Sequence, residues 1–199
     1  MLSERFRRQP HPPFSGHLTQ RGRLRNAYGG RDMQGTFRLV YLSLLLSLSL
    51  ALFMFEGLIP LPFLAPGAKL GLSNIITVIA LYTLRPHDAL LILLLRIVIG
   101  SLLGGGPTVM AYSLAGGLLS FGGMAALKHG GKFSVIGVSL AGGFMHNLGQ
   151  LFIAAWAVES MGIFSYLPIL GLCGLVTGAV IGILAAMALP RLSFLPVPR

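Results

Sequence analysis

The run SVIGVSLAGGFMHNLGQLFIAAWA, residues 134 to 157, contains no Asp, Glu, Lys or Arg. A helix of this length crosses the hydrocarbon core of a bilayer, which is roughly 30 Å thick. The whole chain shares this character, because 54% of its 199 residues are hydrophobic and 10% are charged, against about 25% charged in soluble domains. Its mean hydropathy is +0.80. The sequence therefore predicts an integral membrane protein.

Five further apolar runs flank this one, separated by short polar or Gly/Pro-containing breaks. Backbone groups in lipid must be paired within the protein, and the runs lack the strict alternation of a membrane barrel, so we expect helices. The predicted fold class is an all-α membrane protein with six transmembrane helices. The predicted spans cover residues 39 to 55, 70 to 84, 88 to 103, 108 to 127, 134 to 157 and 163 to 188. The second and third are shorter than the usual ~20 residues.

The segment before the first span is polar and rich in arginine. We expect residues 1 to 38 to be a disordered cytoplasmic tail close to anionic lipid head groups. Residues 39 to 190 then form the six-helix membrane domain, and residues 191 to 199 form a short cytoplasmic tail. The basic region is too long for a signal peptide, and Met33 is an alternative start. Nucleic-acid binding is discounted, because charge without a folded module does not read bases.

The basic residues between the spans predict the orientation. With six spans, one side of the membrane holds the arginine-rich tail together with Arg85, Lys128, Lys132, Arg191 and Arg199. The opposite loops hold Glu56, Lys69 and Glu159. The positive-inside rule therefore places both termini in the cytoplasm.

Several polar side chains are predicted to lie near the middle of the bilayer. His146 follows Ser134 by twelve residues, or about 18 Å of helix, and Arg96 follows Asp88 by eight. An ionisable residue inside a membrane is costly enough to be a functional-site hypothesis by default. The predicted ligand-binding residues are Lys69, Asn74, Arg96, His146, Asn147 and Gln150.

These polar residues also have structural interpretations. Asn147 and Gln150 can act as interhelical hydrogen-bonding groups, and His146 can be a satisfied structural imidazole. Arg96 keeps its charge, and no carboxylate after the tail is expected at its depth. Its partner is therefore expected to be a carbonyl group, water or an anionic group from outside the chain, and we favour the last.

Small residues mark two sets of predicted helix contacts. Ser43, Ser47 and Ala51 recur at every fourth position of the first span and form a stripe on one face. This stripe either packs inside the bundle or docks a partner membrane protein. The pentapeptide SLAGG occurs at residues 113 to 117 and again at 139 to 143, which predicts close contact between the fourth and fifth spans.

The sequence lacks the residue patterns that are typical of several classes of enzyme. The lone Cys173 excludes an internal disulfide and a Cys-rich zinc site. Prenyl chain elongation needs clustered carboxylates to hold Mg²⁺, but the chain has two Asp, Asp32 and Asp88, far apart. A Walker loop and a paired nucleophile and base are also missing from the sequence. We predict no catalytic residue, metal site or cofactor, and ATP hydrolysis would have to come from partners.

Five stretches carry a resemblance to a known family. They are EGLIPLPFLAPGAKLGLSNIITVIALY (56 to 82), LLRIVIGSLLGG (94 to 105), YSLAGGLLS (112 to 120), GVSLAGGFMHNLGQL (137 to 151) and YLPIL (166 to 170). They resemble the bacterial membrane family known both as Gx transporter and as heptaprenyl diphosphate synthase component I. That family is similar to the S components of energy-coupling-factor transporters, six-helix proteins that capture a small molecule from outside.

The resemblance implies an S-component-like bundle in the bacterial cytoplasmic (inner) membrane. Such a subunit would capture a small, partly apolar, anionic molecule for uptake, with Arg96 and Lys69 pairing with its acidic group. The Ser43, Ser47 and Ala51 stripe would match the face that contacts a transmembrane coupling subunit, which works with ATPases. The alternative is a non-catalytic accessory subunit beside a prenyl synthase in heptaprenyl diphosphate or menaquinone side-chain synthesis. A scaffold in membrane electron transfer is a third interpretation.

Overall fold

The structure is a computed structural model that describes residues 16–58 and 71–192, with side chains from residue 35 onward. Within these ranges the regular elements are helices, and no strand occurs among them. The α-helices are α1 Gly16–Gly57, α2 Asn74–Thr83, α3 Pro86–Gly100, α4 Gly106–His129, α5 Val135–Ala157 and α6 Leu167–Leu192. A π-helical turn, Ser101–Gly105, joins α3 to α4, and a 3-10 helix, Met161–Tyr166, precedes α6.

Each of the six predicted spans overlaps one of these α-helices, and most ends differ from the prediction by a few residues. The exception is α1, which begins at Gly16 and so extends into the segment expected to be disordered. Arg, Leu and Gln favour helix, and a helix that is already nucleated adds residues at little cost. The chain divides into two units, Met1–Phe37 and Arg38–Arg199. The predicted domain division itself stays a prediction.

Among the described residues, four helical segments are long and apolar enough to cross a membrane, so the chain is membrane-embedded. They are Gly35–Gly57, Pro86–Gly104, Gly106–His129 and Met161–Leu192. With 10 residues, α2 covers about 15 Å, half of the hydrocarbon core. Helix α5 has 23 residues, but its polar side chains lower its hydropathy. The six-span count and the orientation therefore stay predictions.

Local sequence signals explain where helices begin. Pro86 occupies the first turn of α3 after an extended Arg85, the position where a missing N–H costs nothing. Ser134 caps α5, because its hydroxyl accepts a hydrogen bond from the Gly137 amide at 3.2 Å. Gly106 adopts a φ of 71°, which only glycine adopts readily, and this lets the chain turn into α4.

Helices α5 and α6 meet backbone to backbone along four glycines, the glycine seam, which consists of Gly143, Gly174, Gly178 and Gly182. A Cβ on Gly174 would lie 2.5 Å from the Gly143 carbonyl oxygen, and one on Gly178 would lie 2.7 Å from the Ser139 carbonyl oxygen. The Ser139 hydroxyl donates to the Gly178 carbonyl at 2.8 Å. Small residues therefore allow the close approach that stabilises helix pairs in lipid.

The repeated SLAGG pentapeptide packs α5 against α4 as predicted, but only one glycine of each copy takes part. A Cβ on Gly116 would lie 2.8 Å from the His146 carbonyl oxygen, and one on Gly142 would meet the Met124 sulfur. The other two glycines face elsewhere: Gly117 contacts α3, and Gly143 belongs to the glycine seam. The two copies thus tie α4 and α5 to both of their neighbours.

Charged side chains join four helices at one end of the bundle. Arg38 of α1 pairs with Asp88 in the first turn of α3 at 2.5 Å. Lys128, at the end of α4, donates to the Leu81 carbonyl of α2 and lies 5.1 Å from the centre of the Tyr82 ring. Two predicted cytoplasmic elements, the end of α4 and the α2–α3 connection, therefore meet at this end.

Candidate functional site

Six polar residues from α1, α2, α3 and α5 form a buried group that we call the polar cluster. Each is at most 5% exposed. Its members are Glu56, Ser73, Asn74, Arg96, His146 and Gln150. The sequence predicted four of them as ligand-binding residues, and the structure adds Glu56 and Ser73.

Glu56, near the end of α1, fixes the start of α2. Its Oε1 accepts a hydrogen bond from the Gly71 amide, and its Oε2 accepts one from the Leu72 amide at 3.1 Å. Gly71 has a φ of 86°, a conformation that favours glycine. The carboxylate therefore occupies the anion-binding position that unpaired amides and the helix dipole create at a helix N-terminus.

Arg96, in the middle of α3, reaches the same region and is 2% exposed. Its Nη1 donates to the hydroxyl of Ser73, so this serine binds the guanidinium rather than capping α2. The guanidinium carbon lies 5.7 Å from the centre of the Phe53 ring. Its Nε and Nη2 have no hydrogen-bond partner among the residues that the structure describes.

The two unpartnered nitrogens of Arg96 form one edge of the guanidinium. Their N–H bonds point the same way, which is the geometry that binds a carboxylate through both of its oxygens. The arrangement therefore leaves a bidentate anion-binding edge open after Ser73 has taken Nη1.

The expectation that no carboxylate lies at the depth of Arg96 stays a prediction. Glu56 binds the amides of Gly71 and Leu72, and Arg96 binds the hydroxyl of the next residue, Ser73, although Glu56 was placed at the outer end of α1 and Arg96 near the midplane. Counting residues along two helices gives the depth of each Cα, but it ignores helix tilt and the reach of an arginine side chain. Arg96 and Glu56 thus bring opposite charges to one short segment, residues 71 to 73.

His146 and Gln150 contribute the α5 side of the cluster. The His146 Nε2 and the Gln150 Nε2 are 2.9 Å apart, so the imidazole nitrogen accepts the amide hydrogen. A Cβ on Gly71 would lie 2.9 Å from the Asn74 Nδ2 and 3.1 Å from the His146 ring. The glycine therefore lets the start of α2 approach the imidazole.

Asn147 lies apart from the polar cluster, although it was predicted to share a face with its neighbours. Its Nδ2 donates to the Leu170 carbonyl of α6 at 2.7 Å, and it lies against Gly174 of the glycine seam. This fits the interhelical hydrogen-bonding interpretation, since a single helical step turns a side chain by 100°. Lys69, also predicted to bind ligand, lies outside the described residues.

The small-residue stripe of α1 faces outward. Ser43, Ser47 and Ala51 are all exposed, whereas the opposite face, through Tyr41 and Phe53, is buried. The interpretation that the stripe packs inside the bundle is therefore wrong. Its role in docking a partner stays a prediction.

A signal for Glu56 was present in the sequence. The buried positions Tyr41, Leu45, Ser49 and Phe53 recur every four residues, and Glu56 follows three residues later on the same face. This spacing directs the carboxylate into the bundle. Ser73 carried no comparable signal, because its role depends on the side chain of a residue in another helix.

The cluster offers side chains that can bind a polar or charged group. It presents a cation, a carboxylate, an imidazole and two amides in a buried place. Within the described part of the chain, no group of three or more His, Cys, Asp or Glu is arranged to hold a metal ion.

Comparison with known proteins gives one family. The family model described as Heptaprenyl diphosphate synthase component I matches residues 45–188, which include every described member of the polar cluster. No curated protein matches the chain, and no solved structure does. The chain is therefore a membrane protein that belongs to the heptaprenyl diphosphate synthase component I family.

Proposed function

We propose that this chain is the substrate-binding, S-component-like subunit of an uptake system, and that the polar cluster captures a small, partly apolar, anionic molecule. The observation that supports this most is the open edge of Arg96, which is 2% exposed and lacks partners for Nε and Nη2 in the described residues. A buried cation with unused donors is costly in a membrane, and an acidic ligand would remove that cost.

The other predicted residues have defined parts in this proposal. Asn74, His146 and Gln150 bind polar groups of the ligand, because they surround the start of α2 next to Arg96. Lys69 provides a second cation for the acidic group, whereas Asn147 has a structural part, because it binds the Leu170 carbonyl of α6.

The proposed orientation has six spans, with both termini in the cytoplasm of a bacterial cell and the cluster open to the outer side. It is supported by Lys128 and Arg38, which meet α2 and α3 at one end. Cysteines that replace Lys132 and Met161, on either side of α5, should react from opposite sides of the membrane in a Cys173→Ser background. Labelling of both from one side would contradict the proposal for α5.

The outward stripe of α1 is the proposed docking face for a transmembrane coupling subunit that works with ATPases. Its support is the exposure of Ser43, Ser47 and Ala51. A flat row of small side chains lets a second helix approach closely in lipid.

Substrate capture can be tested by native mass spectrometry of the purified protein. The wild type should retain one small molecule, and Arg96→Leu should lose it. Arg96→Lys keeps the charge but lacks the bidentate edge, so about 10 to 100-fold weaker binding is expected, equivalent to about 1.4 to 2.7 kcal/mol. Arg85→Leu, which removes an exposed arginine, is the control. Unchanged retention by Arg96→Leu would refute the proposal.

The second candidate is a non-catalytic membrane subunit beside a prenyl synthase, and the description of the matched family favours it. In that case the partner supplies the clustered carboxylates that hold Mg²⁺ against diphosphates. Co-purification separates the two candidates. A coupling subunit with ATPases supports uptake, and a prenyl synthase catalytic subunit supports the accessory role.

A further inference from the structure

Two anion-binding positions lie side by side at the start of α2. The first consists of the Gly71 and Leu72 amides, and the chain's own Glu56 carboxylate fills it. The second is the Nε and Nη2 edge of Arg96, which Ser73 holds through Nη1. This edge has no partner in the described part of the chain. The cluster therefore holds one fixed negative charge beside one open site.

The Glu56 side chain acts as a hydrogen-bond acceptor through both of its oxygens. Both of its oxygens accept hydrogen bonds from backbone amides, whereas a protonated acid would carry a donor on one oxygen. Glu56 lies close to Arg96, because the two side chains bind adjacent residues of the segment 71 to 73. A group that binds Arg96 must therefore tolerate a carboxylate close by, in a medium where like charges repel strongly.

The filled position also limits the size and charge of the group that can bind. Phosphate oxygens commonly bind the amides at a helix N-terminus, but here the Gly71 and Leu72 amides are already used. A phosphate or diphosphate at Arg96 would bring extra negative oxygens close to Glu56, where like charges repel. A carboxylate brings two oxygens and a single charge, which match the guanidinium edge.

We infer that the polar cluster selects a molecule with a single carboxylate over phosphate and diphosphate esters, and that Glu56 is the residue that sets this preference. This inference rests on the proposed function, because it assumes that a ligand binds at Arg96. Glu56 then has two roles. It holds the start of α2, and it excludes ligand groups that carry more than one negative charge.

The test uses three probes that share one alkyl chain: octanoate, octyl phosphate and octyl diphosphate. Affinity is measured by calorimetry on the full-length protein in nanodiscs of phosphatidylcholine, whose net charge is zero. The wild type should bind octanoate at least tenfold more tightly than octyl diphosphate. Glu56→Gln should shift this ratio at least tenfold toward the diphosphate. Glu159→Gln, which removes an exposed acid, should leave the ratio unchanged.

The outcomes separate the inference from the proposed function. Equal or tighter binding of octyl diphosphate by the wild type overturns the inference, and this comparison does not depend on whether Glu56→Gln folds. An unchanged ratio in a folded Glu56→Gln also overturns it. If none of the three probes shows binding that Arg96→Leu abolishes, the proposed acid site itself is refuted.

Discussion

The glycine seam and the polar cluster connect helices in opposite ways. At the seam, α5 and α6 touch through their backbones, and a Cβ on Gly174 or Gly178 would collide with carbonyl oxygens. In the cluster, helices meet through long side chains, and donors of Arg96 stay unused in the described residues. Close backbone contact leaves no room for a ligand, whereas side-chain contacts can be exchanged. The seam therefore supports the bundle, and the cluster is where binding can occur.

The largest loss of stability is expected when a larger side chain is introduced into the glycine seam. Gly174→Val should lower the free energy of unfolding by about 3 kcal/mol or more, because neither the Gly143 carbonyl nor the backbone around it can move away. Thermal unfolding in detergent measures the effect. Gly122→Val is the matched control, since a Cβ on Gly122 meets nothing within 4 Å. Equal melting temperatures for the two variants would show that the seam does not support the bundle.

The second test compares the buried charges of the cluster with each other. Glu56→Gln or Arg96→Gln alone should destabilise the protein by about 3 kcal/mol, because each leaves the other charge buried without its counter-charge. The double variant should cost at least about 1 kcal/mol less than the sum of the two. Unfolding of all four proteins under one condition gives this coupling. Strictly additive losses would mean that the two charges do not stabilise each other.

The third test concerns the ion pair between Arg38 and Asp88, at the other end of α1 and α3. This pair lies closer to the protein surface than the polar cluster does. The Arg38 side chain is 34% exposed and that of Asp88 is 4% exposed, so solvent weakens the pair. Arg38→Ala should therefore cost only about 1 kcal/mol of unfolding free energy. Arg85→Ala, at a nearby exposed position, should change it less. A loss as large as that from the cluster variants would contradict the distinction between the two ends.

The smallest effect on stability is expected on the outer face of α1. Ser47→Leu should change the free energy of unfolding by less than about 0.5 kcal/mol, because the residue is exposed. It should nevertheless abolish capture of a partner in pull-down experiments if the stripe is a docking face. Ala126→Leu adds comparable bulk to an exposed position of α4 and should leave capture intact. Retained capture by Ser47→Leu would remove the stripe from the docking proposal.

Much of the fold was predictable because a lipid bilayer permits few backbone structures. Apolar runs must become helices, and polar breaks mark their ends, so the helices α3 to α6 lie within a few residues of their predicted spans. Helix α2 is shorter than its predicted span. Its start is set by the Gly71 backbone and by Glu56 from another helix, and hydropathy along the chain carries no information about that contact.

The candidate site was predictable in composition but not in arrangement. Asn74, Arg96, His146 and Gln150 stood out because polar groups are rare in such sequences. Asn147 was grouped with them by depth alone, yet it faces α6. Helix rotation decides such cases, and rotation depends on packing against neighbours, here on the glycine seam.

The length of α2 determines how much of the membrane potential a charged ligand crosses before it reaches the polar cluster. With 10 residues, α2 places the cluster about 15 Å from the end near Lys128, half of the hydrocarbon thickness. Moving one elementary charge through the full membrane potential involves about 2.3 kcal/mol per 100 mV. In the proposed orientation, a monoanion that enters from outside a cell with a negative interior would work against about half of this, about 1.1 kcal/mol per 100 mV. Its affinity should therefore fall about sevenfold when the membrane is energised to 100 mV.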